Sequence, residues 1–310
     1  MLDKLNSPEP LLVLAPLAGY TDLPFRSVVK DFGADLTISE MISSNALVYN
    51  SKKTLKMLEK SPNETPYIVQ IAGNSENIIK EAVAILNDFD FVDGIDLNCG
   101  CPASKVFNHG SGSSLLGDLN KLENILKTIK KHSTKKTLSA KIRIGIDEKI
   151  GCSIAKVCEY AGVDFLSVHG RTKKGAYKSA VDYDEIAKIK EQSKIPIIAN
   201  GDITDNQKAR YVLDKTKADG LMIGRGAIGK PWIFYQILNN IEDISCEIKK
   251  EVILKHFTAM INCFGNHGVI MFRKHLHTYS KGYQKSAIFR QTINNTEDAQ
   301  TMKNIIVDFF

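Results

Sequence analysis

Short apolar runs rich in β-branched residues alternate with longer stretches of helical period from residue 11 to about residue 243. The runs predict strands over 11–15, 36–39, 67–71, 94–98, 138–144, 165–169, 196–199 and 220–223. Between them, apolar positions recurring every three to four residues predict helices over 76–86, 122–131, 154–161, 183–190 and 206–215. Eight strands alternating with helices over roughly 240 residues describe a (β/α)8 TIM barrel. A doubly wound sheet is the competing arrangement, but it does not normally need eight parallel strands. Past Trp232 the alternation stops, and helix-period stretches over 248–260 and 296–309 carry the chain to its end. We therefore expect a barrel over 1–243 and a small all-helical C-terminal domain over 244–310, divided at the polar stretch 239–243.

Composition changes this picture little. Of 310 residues, 43% are apolar and 25% charged, the range of a soluble globular chain. The longest apolar stretch, 11–18, is broken by Pro16 and falls short of the ~20 residues that a spanning helix needs. No basic segment leads into an apolar run at the N-terminus, so we expect a cytoplasmic protein with no membrane association. Cysteines at 99, 101, 152, 158, 246 and 263 form no disulfide framework. Cys99-Gly100-Cys101 lacks the second pair that zinc sites usually show, so no metal is expected. Nothing implies an obligate protein partner.

The net charge of +6 is less informative than its placement. Residues 244–310 hold nine Lys/Arg against five Asp/Glu. No acid occurs over 252–296, which contains Lys255, Arg273, Lys274, Lys281, Lys285 and Arg290. A solvated helical face is the plain explanation. The interleaved aromatics Phe272, Tyr279, Tyr283 and Phe289 favour contact with a nucleic acid.

In a barrel the strand C-termini and the loops after them form the active face. The predicted strand ends carry Ala15-Pro16-Leu17-Ala18-Gly19, Gln70, Asn98-Cys99-Gly100-Cys101-Pro102, Lys141 with Arg143, His169-Gly170-Arg171, Asn200-Gly201-Asp202 and Gly224-Arg225-Gly226. Singly, each has a structural explanation: Gln70 could cap a turn, and a lone histidine usually belongs to a core. Polar groups at so many strand ends are hard to explain as packing. The glycine-containing turns after the last two strands, with Arg225, suit a phosphate. Gly224 to Gly229 also matches G-x-G-x-x-G, but no first βαβ unit surrounds it, so one mononucleotide phosphate fits better than a dinucleotide. Lys141 and Arg143, two apart on a strand, face the same way.

The stretches APLAGYTDLPFR (15–26), VQIAGN (69–74), DGIDLNCGCPASKV (93–106), GSGSSLLGD (110–118), KIRIG (141–145), SVHGRTKKGAY (167–177), IPIIANGDI (195–203) and GLMIGRGAIGKPWIF (220–234) closely resemble the tRNA-dihydrouridine synthases. RKHL (273–276) looks like their bacterial B-type branch. The resemblance covers about residues 11–290. It implies an FMN enzyme that uses NADPH to reduce the uracil C5=C6 bond at defined uridines in tRNA. By motif position, Cys101 matches the catalytic cysteine, and Asn98 and Arg143 match uracil contacts. Gln70, Lys141 and His169 match flavin contacts, with Pro16, Leu17 and Ala18 lining the ring. Asn200, Gly201 and Asp202 with Gly224 and Arg225 match the ribityl and phosphate contacts. Arg273, Lys274 and Lys281 are expected to contact the tRNA. Cys99 stands where many relatives carry an apolar residue, which puts two thiols near the site.

The implied chemistry suits these residue types. Hydride goes from reduced flavin N5 to uracil C6, and a proton must then reach C5. An ordinary thiol, titrating near roughly 8.5, carries its proton at neutral pH. A cation such as Lys141 stabilises an anionic reduced flavin. A uracil that must leave its stack explains a second domain gripping the tRNA. Two other readings stay open: a flavin barrel acting on a free pyrimidine or another small enone, and an RNA-binding protein with a vestigial barrel. The first has no use for a basic tail, and the intact Cys101 and Lys141 argue against the second.

Overall fold

The computed structural model describes Lys4 and residues 9–310; the N-terminal expectation drawn above otherwise lies outside the described residues. The parallel strands are β1 (Leu11–Leu14), β2 (Leu36–Ile38), β3 (Ile42–Ser43), β4 (Tyr67–Ala72), β5 (Gly94–Cys99), β6 (Thr137–Arg143), β7 (Phe165–His169), β8 (Ile197–Asn200) and β9 (Gly220–Ile223). β1 pairs with both β2 and β9, and β2 pairs with β4, so the ring closes as an eight-stranded barrel. The two-residue β3 adds to β4 as an extra, unforeseen edge. All eight expected strands are present, with ends shifted by a residue or so.

Alternation along each strand divides the apolar side chains. Leu11, Val13 and Ala15 join Phe165, Ile198 and Met222 in a cluster inside the ring. Leu12 and Leu14 turn outward to the layer of helices. Closure at β1–β9 depends on Gly220, where a Cβ would lie 2.4 Å from the Leu11 carbonyl oxygen.

The helices that pack outside start on sequence signals. Asp22 caps α1 (Leu23–Asp31), and α2 (Glu76–Asn87) follows β4. Asp118, Asp182 and Asp205 accept backbone N–H bonds at the starts of α3 (Leu119–His132), α5 (Tyr183–Gln192) and α6 (Asn206–Thr216), while α4 (Gly151–Tyr160) has no side-chain cap. Such caps are each worth about 1 kcal/mol. After β9 come α7 (Ile233–Asn239), α8 (Cys246–Phe264), α9 (His267–Tyr279), α10 (Ser286–Asn294) and α11 (Ala299–Phe309). α9 and α10 were not legible in the periodicity.

The helices after residue 243 share an apolar core that also takes in Val28 of α1 and Trp232. Phe272, Tyr279 and Phe289 belong to it, at 0%, 4% and 4% exposure. The aromatic–cation interleaving is thus a packed stripe and not a row of stacking platforms, because an aromatic side chain gains most when its area leaves water. No described helix is long and apolar enough to cross a membrane.

Candidate active site at the barrel mouth

Cys101 sits just past β5, half-buried, in a loop whose Gly100 and Cys101 backbone groups are all hydrogen-bonded. Its N–H, at 3.0 Å, and that of Gly100, at 3.2 Å, both donate to Asn98 Oδ1. Its carbonyl accepts from the Ser113 hydroxyl at 2.8 Å, and Arg143 Nε donates to the Gly100 carbonyl at 2.8 Å. Gly112, at φ +63°, lets its turn close on this loop: a Cβ there would meet Cys101 Cβ at 3.1 Å. Cys99, by contrast, is fully buried in the layer between strands and helices, and burial pushes its thiol well above the ordinary range. On a continuing strand residues two apart would share a face, but β5 ends at Cys99, and the loop after it carries Cys101 to the half-buried mouth.

Beneath the loop runs a hydrogen-bonded ladder. Asn98 Nδ2 donates to Gln70 Oε1 at 2.7 Å, and Gln70 Nε2 donates to Asp96 Oδ2 at 2.8 Å. Ser139 Oγ donates to the other Asp96 oxygen at 2.6 Å. Burial raises the Asp96 carboxyl to about 6. Gln70 is fully enclosed, so its acceptor and one of its N–H groups are committed to the protein.

Lys141 projects beside this ladder and donates to Asn200 Oδ1 at 3.1 Å. Desolvation, then the neighbouring Arg143, lowers its ammonium to about 8. Arg143 is 2% exposed and also donates to the carbonyls of Thr172 and Ala176, bracing the Cys101 loop against the 172–176 loop. His169 Nδ1 lies 2.9 Å from Asn200 Oδ1. Asn200 Nδ2 is fixed on the Met222 carbonyl at 2.6 Å, so its oxygen faces the mouth and His169 Nδ1 must be the donor. Burial, then Lys141, lowers His169 to about 3, so the ring is neutral. Its Nε2 is a buried lone pair with no partner.

The last two loops meet around Asp202. Its carboxylate takes Arg171, donating Nη1 at 3.1 Å, and Arg225, donating Nη2 at 2.8 Å. The hydrogen bond from Arg171 holds the carboxyl below its ordinary range. Gly201 (φ +135°) and Asp202 (φ +47°) turn the backbone through left-handed conformations there. Tyr177 carries Arg225 on its ring at 4.3 Å and Arg143 at 5.5 Å. Arg171 was placed on the active face without a role, and Tyr177, Asp96 and Ser113 were given none, although the motif stretches at 93–106, 110–118 and 167–177 contain them. Pro16, Leu17 and Gly224 are half-buried on the same rim, and Ala18 is exposed.

Arg273, Lys274 and Lys281 lie away from this cluster, on or after α9. Lys281 is exposed. Lys274 lies over the Tyr20 ring at 5.4 Å, on the loop after β1. Arg273 is turned inward, donating to the Thr296 carbonyl at 2.9 Å with Glu297 4.0 Å away.

The family model described as Dihydrouridine synthase (Dus) matches residues 13–310. A Helicobacter pylori protein named probable tRNA-dihydrouridine synthase is 52% identical over 300 residues, covering 96% of this chain and 92% of its own. The tRNA-dihydrouridine synthase B of Pasteurella multocida is 39% identical over 308 residues, covering 96% and 92%. Among solved structures, histamine dehydrogenase from Rhizobium sp. 4-9 shares the fold, with a TM-score of 0.57 at 12% identity over 80% of this chain and 49% of its own. The mouth of this barrel and the match along almost the whole chain agree: the chain belongs to the dihydrouridine synthase family.

Proposed function

We propose that this chain reduces the C5=C6 bond of specific uridines in tRNA to 5,6-dihydrouridine, with FMN at the barrel mouth and NADPH as reductant. The observation that carries the reading is a single half-buried thiol, Cys101, clamped beside a half-buried cation, Lys141, on one rim. The residues present suit a flavin mononucleotide. His169 Nε2 is an unpaired acceptor awaiting an N–H or O–H donor. The turns at Gly201-Asp202 and Gly224-Arg225, with two guanidiniums, suit one terminal phosphate. Pro16 to Ala18, Gln70 and Asn200 complete the holding set. Bound FMN would supply hydride from its N5, replenished by NADPH. Lys141 then offsets negative charge on the ring, Asn98 and Arg143 hold the uracil, and Cys101 Sγ gives its proton to C5.

We divide the chain at 243/244 and assign the tRNA grip to the helical unit, with Lys274 and Lys281 as the cations best placed for phosphates and Arg273 as a brace. The enzyme would work in the cytoplasm and need no protein partner. Incubating the purified chain with unmodified tRNA, FMN and NADPH and digesting to nucleosides tests the whole reading. Dihydrouridine is expected in tRNA only. Reduction of free uridine or of small enones, with tRNA untouched, would move the activity to another substrate class.

A further inference from the structure

Where the helical unit meets the barrel, three side chains from three helices converge. Asp22 caps α1, His256 comes from the middle of α8 and His275 from α9. Asp22 is 6% exposed and both histidines 0%. One oxygen and three nitrogens among them have no hydrogen-bond partner: Asp22 Oδ2, His256 Nε2 and both ring nitrogens of His275. Buried polar atoms are otherwise almost always paired, so four orphans in one cluster need an explanation.

We infer that Asp22, His256 and His275 form a binding site for a divalent transition-metal ion, zinc by ligand chemistry, that pins the helical unit to the barrel. The potential ligand atoms, one from each residue, all lie within 4.8 Å of one another. A filled tetrahedral zinc site, with bonds of roughly 2.0–2.2 Å, has ligands about 3.4 Å apart, so modest side-chain rotation closes it. Two imidazoles and one carboxylate favour zinc over calcium or magnesium, which prefer all-oxygen shells. The outer contacts are those of a ligand set. His256 Nδ1 bonds the Tyr279 hydroxyl at 3.0 Å, which aims Nε2 at the centre, and Asp22 Oδ1 is anchored by the Phe25 N–H at 3.1 Å. Phe25 and Phe272 wall the site, with ring centroids 5.4 and 4.8 Å from that of His256. A proton serves the cluster less completely. Neutral His275 has one N–H for two waiting acceptors, whereas one cation takes a lone pair from all three residues.

The inference does not depend on the reductase reading, and metal uptake tests it directly. Full-length chain stripped with a chelator and dialysed should rebind about one zinc per chain and show the ligand-field bands of tetrahedral cobalt when loaded with Co²⁺. Its melting temperature should rise with added zinc. Asp22→Asn and His275→Gln should each lose that equivalent; asparagine caps a helix as well as aspartate, so the first variant keeps the fold. Tyr279→Phe should weaken the affinity about 10–100-fold. A wild-type chain that binds no zinc, or binds one equivalent that survives in both ligand variants, would overturn the site and leave the cluster to protons.

Discussion

Gln70 and Asp96 are joined by a buried 2.8 Å hydrogen bond that decides which way the Gln70 amide faces. Asp96, when ionised, can only accept, so it must receive the Gln70 NH2. Gln70 Oε1 then faces Asn98 Nδ2, and Asn98 Oδ1 is left to hold the Gly100 and Cys101 N–H groups. A carboxylate three links away thereby sets the loop that carries Cys101. We expect Asp96→Leu to retain FMN but reduce tRNA about 10–10²-fold more slowly, the scale of a misplaced reacting group. Asp96→Asn can still accept from Gln70 and should be milder. Equal losses in the two variants would show that the charge, not the ladder, matters.

Lys141 gives the pH dependence its sign. Burial lowers the ammonium to about 8, so above that pH the neutral amine prevails in the flavin-free chain, and a negative ring nearby raises the value. Turnover should therefore fall on the alkaline side, at or above about pH 8. Lys141→Arg keeps its charge, since guanidinium titrates above about 12, so its slower rate should fall only where the thiol proton donor is lost. An alkaline limb at the same pH in Lys141→Arg as in the parent would assign it to a group other than Lys141. Asp96→Asn removes a nearby negative charge that supports the ammonium, so it should move the fall to lower pH.

The strands were legible because each is buried on both faces and reads as a short apolar run. The rim was legible as motif stretches at their ends. Partnership was not. Asn98, Gln70 and Asp96 lie on two strands, and nothing in the spacing says that their amides form one ladder. Arg143 read as a substrate contact, yet three of its bonds go to backbone carbonyls of two loops. α9 was hidden because Gly268, His275 and His277 interrupt its apolar period, and His275 is buried only through contact with α1 and α8. Long-range packing of this kind leaves no periodic trace.

For the two thiols, the expectation divides by position. Cys101→Ala should still bind FMN and accept hydride from NADPH, but reduce tRNA about 10²–10⁴-fold more slowly, the usual share of a general acid. Cys99→Ala removes a small buried group from the helix-facing layer, so its cost should appear in the melting temperature and barely in turnover. Single-turnover assays that found Cys99→Ala the slower variant would reverse the assignment.

The basic tail should bind RNA more weakly than its composition suggests. Of the six cations over 252–296, Lys255 pairs with Asp31 at 2.6 Å, Arg273 holds the Thr296 carbonyl and Arg290 donates to Ser280 Oγ at 3.0 Å. If the other three, Lys274, Lys281 and Lys285, each met a phosphate, the log–log salt slope of tRNA binding would be about −2 to −3, at ~0.7–0.9 per contact. Lys281→Ala and Lys274→Ala should each weaken every tRNA alike and make the slope shallower by about one. Arg273→Ala should instead lower the melting temperature, because it leaves the Thr296 carbonyl without its donor, and should leave the slope unchanged. Deleting 244–310 is a poor substitute for these variants, since it would strip the cover from Val28 and Trp232. Salt titrations in which Arg273→Ala lost as much slope as Lys281→Ala would put the Arg273 guanidinium on the RNA after all.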